Sequence, residues 1–190
     1  MYVINGSLFM IVGIIFYLVG RGIFIGSKKQ VSWLKEIIRF LFVVYLCMVV
    51  SVTLFPIPVG FNSEIESIYR TVNLIPLKTI IFNISQIGIA YGGDTSFMIR
   101  LIARNVGGNI LLLLPLGFFV PLLWNKLNRF KSILIVGFSV SISIELLQYI
   151  EPKSGGWGRV TDIDDVICNV FGVIIGYLIY KMVFKLVNKF

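Results

Sequence analysis

The stretch SISIELLQYIEPKSGGWGRVTDIDDVICNVFG, residues 141–172, decides the fold because it places carboxylate and amide groups inside two apolar runs. Such groups are costly at bilayer depth, and they usually face a partner or a water-filled cavity. Spacings of i, i+4, i+7 and of i, i+3, i+7 put the members of each run on one helix face. The first face carries Ser141, Glu145 and Gln148, and the second carries Asp162, Asp165 and Asn169. We therefore predict a functional site formed by these two faces.

The composition of the whole chain is that of a membrane protein. Of its 190 residues, 57% are hydrophobic and 14% are charged, unlike a soluble domain. Five apolar runs are long enough to cross about 30 Å of hydrocarbon as helices. The predicted spans are residues 3–25, 40–59, 106–124, 132–150 and 166–184. The predicted fold is an all-α polytopic membrane protein, a bundle of about five transmembrane helices.

The distribution of charge predicts the orientation, because short cytoplasmic loops collect Lys and Arg. The connections after the first and third runs, together with the C-terminal tail, hold eleven basic residues and one acid, whereas the other connections hold six basic residues and seven acids. The N-terminus is therefore expected outside the cell membrane and the C-terminus in the cytoplasm. Since topology accounts for the net charge of +8, we expect no nucleic-acid partner.

Residues 74–91 are apolar but contain Lys78, Asn83 and Gln86. A sixth crossing there would reverse the charge pattern, so we predict an interfacial or re-entrant segment on the outer face. The glycine pairs at 92–93 and 107–108 predict a turn-rich piece over residues 94–105 that returns the chain to the third span.

The polar residues of the outer layer allow several kinds of chemistry. The chain has no histidine, which excludes Ser-His-Asp and Cys-His pairs and His-ligated zinc. Glu145 has a natural partner in Arg159, because an Arg–carboxylate pair can be bidentate. Glu145, Asp162 and Asp165 could instead bind Mg²⁺ or Ca²⁺ or act as general acids and bases. Asp162 and Asp165 also suit the positive end of the helix dipole, and Ser141, Asn109 and Asn169 could serve polar packing between helices.

Two further features of the helices bear on packing. Pro115 removes a backbone donor inside the third span, which predicts either a packing kink or an opening beside Glu145. Gly172 and Gly176 form a small-xxx-small pair that predicts close contact between helices.

Four blocks of the sequence resemble the VanZ family, which is named for an accessory teicoplanin-resistance protein. The order and spacing of the blocks carry the resemblance, which covers about residues 54–180. The blocks are Asn73-Leu74-Ile75-Pro76; Gly108-Asn109-Ile110 leading to Leu114-Pro115-Leu116-Gly117; Ser141 through Glu145-Leu146-Leu147-Gln148; and Arg159-x-x-Asp162-x-x-Asp165-x-x-x-Asn169-x-x-Gly172.

By this resemblance the family-type positions of this chain are Asn73, Asn109, Pro115, Glu145, Gln148, Asp162, Asp165, Asn169 and Gly172. Arg159 belongs to the pattern in many members, whereas Asp164 lies outside it and ranks lower. The resemblance implies a membrane domain over residues 40–190, preceded by an N-terminal transmembrane helix and a basic loop over residues 1–39.

The resemblance also implies a role in reduced susceptibility of Gram-positive cells to teicoplanin and related lipoglycopeptides. Our leading hypothesis is a binding protein whose outer polar pocket takes a membrane lipid, a lipid-linked cell-wall precursor or an acylated glycopeptide. The alternative is an intramembrane enzyme that modifies a lipid or envelope substrate through Glu145, Asp162 and Asp165. A purely structural polar core is a third reading.

Overall fold

The computed structural model describes residues 2–26, 30–59, 72–150 and 161–187. Helices dominate this part of the chain, and five of them are long and apolar enough to cross a membrane. The predicted all-α polytopic fold is confirmed. The helices are α1 (Gly6–Gly26), α2 (Trp33–Leu54), α3 (Lys78–Ser85), α4 (Thr95–Leu123), α5 (Phe130–Ile150) and α6 (Ile163–Val187). The short strands are β1 (Tyr2–Ile4), β2 (Ile57–Val59), β3 (Val72–Asn73) and β4 (Thr161–Asp162).

The prediction of a turn-rich piece over residues 94–105 is wrong, because α4 begins at Thr95 and runs for 29 residues. Asp94 caps this helix by accepting a hydrogen bond from the backbone N–H of Phe97 at 2.9 Å, which satisfies one of the donors left open at a helix start. The glycine pair at 107–108 and the prolines at 115 and 121 lie within the helix. Membrane helices tolerate such residues, since neighbouring groups satisfy the freed backbone atoms.

The segment over residues 74–91 does not form a sixth spanning helix. Its helical part, α3, has eight residues, or about 12 Å at 1.5 Å per residue, which is well short of the hydrocarbon thickness. The chain then turns through residues 86–94 into α4. This agrees with the prediction that the segment does not cross the membrane.

The chain divides into two compact units. The first contains α1 and α2, with β1 and β2 paired antiparallel. Close packing of the two helices depends on Gly6 and Gly13, since a Cβ on Gly6 would lie 2.1 Å from the hydroxyl of Ser51. Near the connection between α1 and α2, Arg21 donates two hydrogen bonds to Glu36, at 2.6 and 2.7 Å. The division after residue 39 stays a prediction.

The second unit contains α3, α4, α5 and α6, and the backbones of α4 and α6 are in close contact. A Cβ on Gly172 would lie 2.0 Å from the carbonyl of Ile110, and one on Gly176 would lie 1.9 Å from the carbonyl of Leu114. A Cβ on Gly117 of α4 would likewise lie 2.0 Å from the carbonyl of Val173 on α6. The close contact predicted from the Gly172–Gly176 pair is confirmed, because only glycine leaves room for this approach.

The two ends of the second unit differ in charge. Its basic end carries five Lys and Arg residues around the α4–α5 connection and the last turns of α6, where the hydroxyl of Tyr177 donates to the carbonyl of Asn128 at 2.9 Å. Its acidic end carries the last turns of α5, strand β4 and the first turn of α6. The basic end comprises Lys126, Arg129, Lys131, Lys181 and Lys185, and the acidic end comprises Glu145, Asp162, Asp164 and Asp165, together with Lys78, Asp94, Arg100 and Arg104 in α3 and the first turns of α4.

Candidate functional site

Glu145 and Asp162 form the base of the polar cluster at the acidic end. The Glu145 carboxylate accepts a hydrogen bond from the backbone N–H of Asp162 at 3.1 Å. Glu145 is 5% exposed and Asp162 is 6% exposed. A buried carboxylate needs polar partners to offset the loss of hydration, and here a backbone donor in front of α6 supplies one. The contact ties the outer part of α5 to the start of α6.

The side chain of Asp162 in turn holds the strand that precedes α3. Its Oδ1 accepts from the Asn73 amide at 2.8 Å and from the backbone N–H of Asp164 at 2.9 Å. Strands β3 and β4 pair in parallel with Asn73 opposite Asp162. The Asn73 amide also reaches the hydroxyl of Thr79 at 3.0 Å. Asn73 and Asp162, which are 89 positions apart in the sequence, are thus in direct contact.

Asp164 has a role that sequence reasoning missed when it ranked this residue low. It is 2% exposed, and its carboxylate accepts from the backbone N–H of Leu77 and, at 3.1 Å, from that of Ile80. Leu77 has a φ of 63°, a left-handed conformation that a branched side chain adopts at a cost. Asp164 therefore holds the start of α3 on α6 and offsets that cost. The sequence did contain a signal for this role in the run Asp162–Asp165, which places three aspartates at a helix start. Side chains at neighbouring positions point in different directions, so these carboxylates must contact different partners.

Asp165 and Asn109 form a second contact, between α6 and α4. The Asn109 amide donates to the Asp165 carboxylate at 2.6 Å. Both residues are partly exposed, in contrast to Glu145, Asp162 and Asp164. A charge-assisted hydrogen bond of this length fixes the carboxylate.

Ser141 and Asn169 lie one helical turn deeper. The Asn169 amide nitrogen donates to the Ser141 hydroxyl at 3.1 Å, and the two residues are 0% and 1% exposed. The carbonyl oxygen of Asn169 has no hydrogen-bond partner among the described residues. This contact joins the two polar helix faces that the sequence predicts to share a site.

A comparison with family models matches residues 42–185 to the VanZ/LLP1 model. The chain belongs to the VanZ/LLP1 family. The match extends from α2 to the last turns of α6 and includes the residues of the polar cluster just described. Comparisons with curated proteins and with solved structures gave no match. The resemblance to the VanZ family drawn from the four sequence blocks is confirmed.

Two further family-type positions of this VanZ/LLP1 chain lie on α5 and α4. Gln148 is partly exposed in the last turn of α5, and Pro115 is partly exposed in the middle of α4. Arg159, the predicted partner of Glu145, lies outside the described residues, so that ion pair stays a prediction.

The carboxylates of this VanZ/LLP1 chain bond to different partners. Glu145 bonds to the backbone of Asp162, whereas Asp165 bonds to Asn109 on α4. Within the described ranges, no group of three His, Cys, Asp or Glu residues is placed to hold a metal ion. Hard cations need several oxygen ligands from such groups, so the Mg²⁺ or Ca²⁺ site predicted on Glu145, Asp162 and Asp165 has no support from the described geometry and stays a prediction.

Proposed function

We propose that this VanZ-like membrane protein lowers susceptibility to teicoplanin and related lipoglycopeptides by binding an acylated or lipid-linked envelope ligand. The binding site is the polar cluster at the acidic end of α4, α5 and α6. The ligand's apolar chain lies in the bilayer and its polar part meets the cluster. The protein acts by occupancy and needs no covalent step.

The charge of the second unit supports an outward-facing cluster. Its basic end lies at the α4–α5 connection and the last turns of α6, and basic residues beside spanning helices favour the cytoplasm. The acidic end is then on the outer face, where acylated antibiotics and lipid-linked cell-wall precursors are located. In this orientation the C-terminus is cytoplasmic and, after five crossings, the N-terminus is outside.

The observation that carries the proposal is the contact between Asp165 and Asn109. The buried acids Glu145 and Asp164 bond to backbone N–H groups and so tie α5 and the start of α3 to residues 162–164. Asp165 is partly exposed at the same level of α6, already oriented by Asn109. Its carboxylate can accept hydrogen bonds from an ammonium, hydroxyl or amide group of a ligand without further ordering, which favours binding.

A binding measurement on the purified full chain in detergent tests the proposal. The probes are teicoplanin, the same glycopeptide without its acyl chain, and a lipid-linked cell-wall precursor. We expect at least one acylated probe to bind more tightly than the deacylated glycopeptide. Asp165→Asn should weaken that binding by about tenfold, the value of one charge-assisted hydrogen bond.

The matched control is Asp94→Asn, which makes the same chemical change at an exposed acid that caps α4. It should bind as the wild type does, since Asn also caps helices. Equal binding of acylated and deacylated probes, or equal loss in both variants, would contradict the proposal.

The enzymatic alternative makes a different prediction. Glu145→Asp keeps the charge but withdraws the carboxylate by one methylene. Acid–base catalysis depends on placement within hydrogen-bond reach, so an enzyme would lose nearly all function in this variant. The binding proposal predicts partial retention, because Glu145 contacts the backbone of Asp162 and acts on the site through it.

A further inference from the structure

A second feature of the acidic end is an apolar surface outside the spanning helices. Six large apolar residues around α3 are each at least 60% exposed. Exposed apolar area of this kind marks an interaction or membrane surface. A short helix whose apolar side is open, next to transmembrane helices, suits the interface between headgroups and acyl chains. The six residues are Leu74, Ile75, Ile81, Phe82, Ile89 and Tyr91.

The length of α4 places its first turns at the level of the lipid headgroups. It has 29 residues and α5 has 21, and the short turn Asn125–Leu127 joins them at the basic end. At 1.5 Å per residue, α4 extends about 12 Å further than α5. The headgroup layer occupies roughly 5–8 Å on each side of the hydrocarbon. Residues 95–102 of α4 therefore pass through that layer.

Arg100 and Arg104 lie at this boundary, one helical turn apart and on one face of α4. Both are exposed, and neither makes an ion pair with a residue that the structure describes. The same face continues inward with Gly108 and Leu111, which are also exposed. A Cβ on Gly108 would meet no atom within 4 Å. This face of α4 is thus open to lipid beneath the two guanidinium groups.

We propose that Arg100 and Arg104 bind the phosphate of an outer-leaflet phospholipid. Guanidinium groups match phosphate oxygens in two-point hydrogen bonds, and basic residues beside a spanning helix attract anionic headgroups. The acyl chains lie along Gly108 and Leu111. The apolar side chains around α3 enter the same leaflet and hold the segment 74–91 in the interface.

This inference rests on the proposed function, in which the polar cluster faces outward. It deepens that function because the polar cluster and the arginines bind different chemical groups. The carboxylate of Asp165 receives hydrogen-bond donors, whereas the arginines receive phosphate. The two sites lie on different faces of α4, since Asn109 faces α6 and Arg104 is exposed.

Lipid retention by the full chain, measured by native mass spectrometry after purification in detergent, tests the inference. The probes are phosphatidylglycerol, diacylglycerol and inorganic phosphate. We expect the wild type to retain phosphatidylglycerol at least about tenfold more tightly than Arg100→Gln/Arg104→Gln does, the loss of at least one charge-assisted contact. Arg100→Lys/Arg104→Lys should lie between them, because Lys keeps the charge but not the two-point geometry.

The matched control is Arg129→Gln/Lys131→Gln, which removes two charges at the basic end. Its tightest phosphatidylglycerol binding should equal that of the wild type. Equal retention of diacylglycerol, or unchanged retention in Arg100→Gln/Arg104→Gln, would overturn the inference. Full competition by millimolar inorganic phosphate would also overturn it, since the site would then bind a free anion rather than a lipid.

The outcome is separable from that of the proposed function. Phospholipid retention through the arginines without binding of any acylated probe would leave this inference standing and remove the antibiotic role. Binding of teicoplanin together with phosphatidylglycerol retention that is unchanged in Arg100→Gln/Arg104→Gln would do the reverse. All variants are at exposed positions, and an unchanged melting temperature confirms that each one folds.

Discussion

The carboxylate of Glu145 accepts the backbone N–H of Asp162 at 3.1 Å, and both residues are buried. This contact joins α5 to the residue that precedes α6. It makes Glu145 a positioning residue, one that fixes the place where Asp162 binds Asn73 and where Asp165 meets Asn109. Its consequences for stability and for function can be separated by substitution.

Replacing Glu145 with Gln should have a small effect on stability, whereas Leu should have a large one. Gln retains an acceptor for the Asp162 N–H, but Leu leaves that buried donor unpaired at a cost of about 1–3 kcal/mol. Unfolding in mixed micelles of increasing SDS content measures the difference. Equal stabilities of Glu145→Gln and Glu145→Leu would show that the contact does not position α6.

Asp164→Ala should release the start of α3. Two backbone donors, on Leu77 and Ile80, lose their acceptor, and Leu77 no longer has a contact that offsets its left-handed conformation. We expect faster amide hydrogen exchange over residues 74–91 than in the wild type, with exchange in α4 unchanged. Asp94→Ala is the control, because it removes a carboxylate cap from α4 and should act on residues 95–98 only.

Gly176→Ala should separate α4 from α6. The added methyl group would lie 1.9 Å from the carbonyl of Leu114, and overpacking of this kind costs about 1–3 kcal/mol. Gly107→Ala is the matched control, since its Cβ would meet nothing within 4 Å and Ala favours a helix by up to about 1 kcal/mol. A Gly176→Ala protein as stable as Gly107→Ala would contradict the close backbone contact.

Thiol labelling in intact cells should show the acidic end outside. In a background without Cys47 and Cys168, a cysteine in place of the exposed Ser85 is expected to react with a membrane-impermeant maleimide. A cysteine in place of Lys126, at the opposite end, should react only after permeabilisation. The reverse pattern would place the polar cluster in the cytoplasm and remove the proposed function.

The spanning helices were predictable because the cost of placing polar backbone in hydrocarbon makes long apolar runs helical. The start of α4 was not, since Gly107 and Gly108 predict a break in water-soluble chains but lie inside a helix here. The side-chain signal at this start is the cap Asp94, which accepts the backbone N–H of Phe97, and a single cap is a weak signal for the start of a long helix.

Apart from Asp164, the members of the polar cluster were predictable from the cost of burying them, but their pairing was not. Helical spacing puts Asp162, Asp165 and Asn169 on one face, yet Asp162 lies in β4, before the helix begins. This leaves Asp162 free to pair with Asn73 and places Asp164 against the start of α3. Contacts between residues more than eighty positions apart depend on tertiary packing, which local pattern does not encode.

Teicoplanin susceptibility of a sensitive Gram-positive host tests the central claim most directly. The host expresses the wild type, Asp165→Asn or the control Asp94→Asn, and the membrane level of each protein is measured in parallel. The account predicts protection by the wild type and by Asp94→Asn, and loss of protection by Asp165→Asn at an equal membrane level. Protection by Asp165→Asn equal to that of the wild type, or no protection by the wild type, would contradict it.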